Sequence, residues 1–331
     1  MSKGIEQTRI RRKGICYPAV AFALAAVLFI APALAQQDDQ VIKLRADLVA
    51  VDVTATDKDG NFIRDLKLDD FTIYEDGKPR KIEFFEANED AALTRPISVV
   101  FALDNSGSIK PEEVTKQREA AESFMRLMRP ESVFAVISFN HEIRVIQDFT
   151  SDPRKISESF RRMGKAQGST RLFGSIDKAV SMLKRGPRFR NGRRLRRVVV
   201  SISDGYDSVD TIDQRDLIRR ANDAEVTVYS ITIPSYTAQL GTERAITLLD
   251  AARIVPLTGG KDFSADASDF TPAFKAISEE IRSSYTLAYY PPEASRRDGR
   301  VHQIRVESSR SGAILRVSRN SYQFQAAGGG R

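Results

Sequence analysis

The sequence predicts an α/β protein in which a doubly wound, mostly parallel sheet is inserted in, or flanked by, a β-sandwich built from N- and C-terminal strands. Three observations predict this fold. Apolar, β-branched runs alternate with amphipathic helical segments across the middle of the chain, as in a parallel sheet covered by helices on both faces. The segments on either side show the two-residue alternation of half-buried strands. Neither terminal segment has enough strands for a stable sandwich of its own.

The chain has 331 residues and begins with a predicted secretory signal peptide, residues 1–35. A basic stretch precedes an apolar run that ends in Ala33-Leu34-Ala35, an order typical of a cleaved leader. The alternative is an uncleaved N-terminal anchor facing outward, and both interpretations make the folded part secreted or periplasmic. The single cysteine, Cys16, lies in the leader, so the mature chain is expected to contain no disulfide and no cysteine nucleophile.

Residues 36–90 form the predicted N-terminal β segment. Apolar and polar residues alternate over residues 51–56, and Asp59-Gly60 and Asp76-Gly77 are turn signals. The C-terminal strands, predicted within residues 285–322, show the same alternation and are expected to pack with the N-terminal segment. Residues 323–331 are predicted to be a disordered tail.

The predicted α/β domain spans residues 91–284, after a polar linker. Its predicted strands are residues 97–103, 133–139, 198–202 and 226–233. Apolar residues at helical spacing predict helices around residues 114–128 and 172–183. Pro111, followed by two glutamates, favours the start of the first helix.

Oxygen-bearing side chains occur where strands of this domain end. Asp104, Ser106 and Ser108 alternate directly after the first strand, Thr170 precedes the second helix, and Asp204 ends a later strand. Ligands of doubly wound folds bind at the carboxyl ends of the strands. Hydroxyl and carboxylate oxygens are the donors that hard divalent cations prefer. The sequence therefore predicts a cation site at this edge of the sheet.

All five positions resemble the metal-ion-dependent adhesion site (MIDAS) of the von Willebrand factor A domain, which reads D-x-S-x-S, then Thr, then Asp. The wider layout resembles secreted bacterial proteins described as "VWFA-related". The resemblance implies that the three hydroxyls bind the ion directly, whereas the two aspartates hold coordinated waters or bind weakly. It also implies Mg²⁺, or another divalent cation such as Mn²⁺ or Ca²⁺, and a protein partner that presents an Asp or Glu to the open position. Ser169, where many relatives have glycine, departs from the pattern.

The predicted function is that of an exported, metal-dependent adhesion or scaffold module. One alternative is a structural envelope protein whose metal site only stabilises the fold, and another is a metal-dependent hydrolase. The enzyme is disfavoured because the sequence shows no general base beside the motif, and serines that bind a metal are poor nucleophiles. The sequence accordingly predicts no catalytic residue and no organic cofactor.

Residues 184–197 contain eight basic side chains and no acidic one. The chain after the leader has 46 basic and 43 acidic residues, a net charge of only +3. Any function that depends on positive charge must therefore come from this local segment. It precedes the strand that leads to Asp204 and is expected at the pole opposite the metal. One interpretation is that the segment is a solvated loop. The other is that it binds an anionic surface or an acidic partner. Nucleic acid is disfavoured because Phe189 is the only aromatic residue available for stacking and the protein is exported.

Overall fold

The computed structural model describes residues 48–87, 95–107, 109–204, 212–233, 253–265 and 268–324. The strands and helices of these ranges belong to one unit, Val49–Arg331. The predicted leader, most of the predicted linker, Ser108 and residues 325–331 lie outside the described residues.

The strands in these ranges follow in chain order: β1 (Val49–Thr56), β2 (Phe71–Glu75), β3 (Lys78–Arg80), β4 (Phe84–Ala87), β5 (Ile97–Asp104), β6 (Val133–Phe139), β7 (Ile143–Thr150), β8 (Phe189–Arg190), β9 (Arg193–Arg194), β10 (Arg196–Ser203), β11 (Val226–Thr232), β12 (Asp262–Ser264), β13 (Ser284–Tyr289), β14 (Val301–Ser308), β15 (Ile314–Val317) and β16 (Ser321–Gln323). The helices are α1 (Pro111–Leu127), α2 (Pro153–Arg161), α3 (Leu172–Arg185), α4 (Gln214–Asp223), α5 (Ile254–Leu257), α6 (Thr271–Arg282) and α7 (Glu293–Arg297), with a 3-10 turn at Leu68–Asp70.

A six-stranded sheet in the order β12-β11-β10-β5-β6-β7 forms the centre of the α/β region. All neighbours pair in parallel except β7, which is antiparallel to β6. Every residue of β5 and β6 is buried, as expected for strands covered on both faces. Helices α1, α2 and α6 pack on one face, and α3, α4 and α5 pack on the other. The predicted doubly wound arrangement is confirmed.

Strands from both ends of the chain pair in two further sheets. One has the order β15-β1-β13-β4, in which β1 lies between two C-terminal strands, and the other has the order β16-β14-β2-β3. Their apolar side chains share one core that includes Val51, Tyr285 and Leu287. The predicted sandwich of N- and C-terminal strands is therefore confirmed. Gln323, the first residue of the predicted disordered tail, instead ends strand β16.

A buried ionic network joins the α/β sheet to the sandwich. Asp52 of β1 lies 3.3 Å from the Nε of Arg196, the first residue of β10, and 3.2 Å from the Nη1 of Arg95. The hydroxyl of Thr286 also donates to Asp52, at 2.8 Å. The Arg196 Nη1 in turn donates to the hydroxyl of Ser284, at 2.7 Å. Burial alone would raise the pKa of Asp52, but the two arginines hold it below its ordinary value.

The basic segment is structured, which corrects the interpretation of residues 184–197 as a solvated loop. Lys184 and Arg185 end α3, and β8 and β9 form a hairpin around Asn191-Gly192. Both turn residues have positive φ angles, 49° and 73°, as a two-residue hairpin of this kind requires. Arg196 and Arg197 belong to β10 and are buried. In the described part of the chain, no helix has the length and apolar character needed to cross a membrane.

Candidate metal centre

Asp104 lies at the end of β5 and is completely buried. Its Oδ1 accepts a hydrogen bond from the backbone N–H of Ser106 at 2.8 Å, and its Oδ2 accepts one from the hydroxyl of Ser203 at 2.6 Å. These partners are uncharged. Within the described ranges, the carboxylate is therefore oriented from two sides without a basic side chain to balance its charge.

The electrostatics of Asp104 favour a bound cation. Burial raises the pKa of its carboxyl group to about 6, and the hydrogen bonds from Ser203 and Ser106 oppose this rise only in part. The neighbouring carboxylate of Asp204 adds to the rise. The charge of Asp204 disfavours ionisation of the buried Asp104 carboxyl group, and a positive ion bound beside Asp104 would remove that penalty.

Backbone hydrogen bonds bring the Ser106 and Thr170 loops together. The N–H of Gly107 donates to the carbonyl of Gly168 at 3.3 Å, and the N–H of Gln167 donates to the carbonyl of Asn105 at 3.0 Å. Thr170 is buried and directly precedes the N-terminal end of α3. Asp204 follows β10 and is half-buried, and Ser203 links its segment to Asp104. Three of the predicted ligand segments thus meet at one edge of the sheet.

The sequence interpretation missed Ser203 as part of this site. Its hydroxyl holds the Oδ2 of Asp104, so it fixes the orientation of a predicted ligand without being one itself. The available signal was the polar side chain of Ser203 directly after the apolar run of residues 198–202, in line with that of Ser201 two residues earlier. Residues that hydrogen-bond to metal ligands orient those ligands, and their mutation commonly lowers metal affinity 10- to 100-fold.

A histidine that is not among the predicted site residues also lies beside the Thr170 loop. A Cβ atom built on Gly168, whose φ is +79°, would lie 2.6 Å from the Nδ1 of His141. Only glycine therefore fits at position 168 while the imidazole stays in place. His141 lies in the turn between β6 and β7, and this turn is tied to the Thr170 loop by a 3.0 Å bond from the N–H of Arg171 to the carbonyl of Asn140.

A family model of the von Willebrand factor type A domain matches residues 99–206. This range begins within β5 and ends two residues after Asp204, so it includes all five predicted ligands. The chain contains a von Willebrand factor type A domain. The predicted family resemblance is confirmed for this A domain.

Several solved structures are similar to the chain. A von Willebrand factor type A protein from Catenulispora acidiphila is 13% identical, with 77% of this chain and 74% of that chain covered and a TM-score of 0.47. An aerotolerance-related membrane protein from Bacteroides fragilis is 19% identical, with coverages of 56% and 98% and a TM-score of 0.42. Proximal thread matrix protein 1 from the mussel byssus, with a zinc-occupied MIDAS motif, is 14% identical, with coverages of 57% and 48% and a TM-score of 0.46.

Among the described residues, a second group of potential ligands lies in the sandwich. Atoms of Glu75, Asp76 and His302 approach within 4.8 Å of one another. Both imidazole nitrogens of His302 already have carboxylate partners, Asp76 at 2.7 Å and Asp298 at 3.1 Å. Burial alone would lower the pKa of His302, but these two hydrogen bonds raise it above its ordinary value. The group therefore favours a proton on the imidazole and serves to hold β2 to β14.

Proposed function

We propose that the A domain binds a protein partner through a divalent cation held by Asp104, Ser106, Ser108, Thr170 and Asp204. The observation that carries this proposal is the buried carboxylate of Asp104, which is oriented by two serines and has no basic partner in the described part of the chain. The three hydroxyls and two carboxylates form an all-oxygen donor set, which suits Mg²⁺, Mn²⁺ or Ca²⁺. The zinc-occupied MIDAS of the mussel protein adds Zn²⁺ to the ions worth testing.

The partner is proposed to supply an Asp or Glu carboxylate. With both aspartates ionised, the donor set carries two negative charges, which leaves a divalent ion able to accept one more anionic oxygen ligand. An acidic side chain from a partner fits that requirement better than a neutral one. Affinity for the partner should then depend on the cation, and removal of the cation should release the partner.

The predicted leader supports partner binding outside the cytoplasm. Residues 1–35 combine a basic start, an apolar run and the Ala33-Leu34-Ala35 exit. We propose cleavage after Ala35 and a secreted or periplasmic mature chain. The N-terminally anchored form, facing outward, is the alternative, and the mass of the mature protein distinguishes the two.

Two other functions would use the same site. In the first, the ion only stabilises the fold of an envelope protein. In the second, the ion activates water for hydrolysis, and the position of His141 beside Gly168 makes this histidine the candidate base. Binding is favoured over hydrolysis because the hydrogen bonds from Ser106 and Ser203 orient the carboxylate of Asp104, a proposed metal ligand.

A pull-down from envelope extract in Mg²⁺ and in chelator tests the proposal. Capture that requires Mg²⁺ and is lost in Ser106→Ala supports metal-mediated binding. The matched control is Ser123→Ala, since the hydroxyl of Ser123 bonds to Glu119 and Arg126 of its own helix, α1. A metal-dependent melting temperature with equal capture in chelator would instead support the structural role. Metal-dependent turnover of a chromogenic ester that is lost in His141→Ala would support hydrolysis.

A further inference from the structure

The basic segment carries more positive charge than its surroundings neutralise. Its last two members are internal, since Arg196 pairs with Asp52 and the Arg197 Nη1 donates to the carbonyl of Ala224 at 2.7 Å. Arg188 and Arg194 share a single carboxylate, Glu225. Arg319 from the C-terminal end of the chain pairs with that same carboxylate, at 3.5 Å. One acidic group is thus divided among three guanidinium groups.

The outer part of the segment forms no ion pair within the described ranges, although Glu131 lies near enough to Arg193 to interact with its charge. Within the described ranges, no carboxylate forms an ion pair with Arg185, Arg190 or Arg193, and Arg190 bonds only to the hydroxyl of Ser151. Arg190 and Arg193 lie directly opposite each other in the β8–β9 hairpin. Like charges at facing positions of a hairpin destabilise it. An anion bound at this hairpin would relieve that repulsion.

An exposed aromatic side chain accompanies these cations. Phe189 is 46% exposed and lies between Arg188 and Arg190 in sequence. The hairpin forms a two-stranded sheet of its own, so no third strand pairs with it in the described part of the chain. Cations around an apolar ring are the combination that binds an anionic bilayer, where basic groups meet phosphates and the ring enters the headgroup boundary.

We propose that the β8–β9 hairpin and the end of α3, residues 184–194, dock the protein on an anionic phospholipid surface. A single aromatic ring does not provide the successive stacking platforms used for nucleic acid. Acidic groups of a partner would match the arginines alone, whereas an anionic bilayer matches both the arginines and the exposed ring of Phe189.

Docking at this hairpin would also orient the metal site. Strand β10 begins at Arg196, just after the hairpin, and ends at Ser203, one residue before Asp204. At about 3.3 Å per residue, the two ends of this strand are roughly 23 Å apart. A membrane at the hairpin would therefore leave the metal centre on the far side, directed away from the lipid.

A tryptophan probe tests insertion directly, because the chain contains no tryptophan. Phe189→Trp gives one fluorophore at the proposed contact, and Phe84→Trp gives a matched control on the sandwich at 44% exposure. With vesicles of phosphatidylcholine containing phosphatidylglycerol, the emission of the Phe189→Trp variant should shift to the blue and that of the Phe84→Trp variant should not. An unshifted emission from the hairpin probe, or equal shifts in both variants, would overturn the proposal.

Sedimentation with the same vesicles tests the charge requirement. Arg190→Gln with Arg193→Gln removes the facing charges, so the hairpin should remain folded while vesicle binding weakens about 30-fold, at roughly 1 kcal/mol for each cation. Lys67→Gln with Lys78→Gln, two exposed lysines of the sandwich, should bind like wild type. Equal binding of the arginine variant, binding to pure phosphatidylcholine, or stronger binding to an acidic peptide than to vesicles would contradict the proposal. Release by inorganic phosphate at constant ionic strength would do so too, by identifying a free-phosphate site. Because the assay is run in chelator, its result is independent of the metal centre.

Discussion

Breaking the Asp52–Arg196 pair should destabilise the whole unit, because this pair joins the α/β sheet to the sandwich. Removing one member of a buried ion pair typically costs about 3–5 kcal/mol, since the other charge stays buried and unpaired. We expect Arg196→Met to have this effect. In Asp52→Asn the carboxylate is lost and both Arg196 and Arg95 lose their acidic partner, so the cost should be similar.

The double variant separates coupling from simple loss of packing. Because each single variant leaves a buried charge without its partner, the double variant should cost at least about 2 kcal/mol less than the sum of the singles. Urea unfolding followed by far-ultraviolet circular dichroism measures the four free energies of unfolding. The exposed pair Asp216–Arg219, 2.9 Å apart, is the matched control and should show a coupling below about 1 kcal/mol. Additive losses at Asp52 and Arg196, within about 0.5 kcal/mol, would refute the view that this network couples the two regions.

Three further predictions concern stability and organisation. Gly260→Ala should destabilise the protein by about 1–3 kcal/mol or more, because the new Cβ would lie 1.8 Å from the carbonyl oxygen of Val228. An unchanged melting temperature would contradict the close packing of Gly260 against Val228. His302→Gln should lose stability at pH 5.5 but much less at pH 9. The raised folded-state pKa of His302 gives stabilisation that is present below the unfolded pKa of about 6.5 and is lost as pH rises through the folded pKa. A loss of stability that does not depend on pH would be evidence against stabilisation by the hydrogen bonds of His302 to Asp76 and Asp298. Residues 38–90 expressed alone should be unfolded or aggregated, because β1 pairs on both sides with C-terminal strands; a well-dispersed NMR spectrum would show instead that this segment is a separate domain.

The buried strands were predictable because their burial leaves a strong sequence pattern. β6 has the bounds predicted for residues 133–139, and β5 extends the prediction by one residue. Strand β7 was not predicted, since it lies at the edge of the sheet and contains exposed Arg144 and Asp148. Helix α4 was also missed, because much of its surface is charged and only Leu217, Ala221 and Asn222 are buried.

The common edge of the predicted ligand segments was predictable from the sequence, but the side chains that support those segments were not. Asp104, Thr170 and Asp204 each follow or precede an element that the pattern placed correctly, so the topology predicted their common edge. Ser203 belongs to the site because its hydroxyl donates to Asp104, and His141 lies beside it because its imidazole packs against Gly168. Spacing along the chain does not encode such contacts, because they depend on how separate loops pack.

Titration of Mn²⁺ into chelator-treated protein, followed by calorimetry, tests the metal-dependent account most directly. We expect one ion per chain, with affinity reduced at least about tenfold in Asp104→Asn and about 10- to 100-fold in Ser203→Ala, which leaves every proposed ligand in place. Asp148→Asn, an exposed aspartate of β7, is the control and should titrate like wild type. An unchanged titration in Asp104→Asn, or the absence of stoichiometric binding in wild type, would contradict the account.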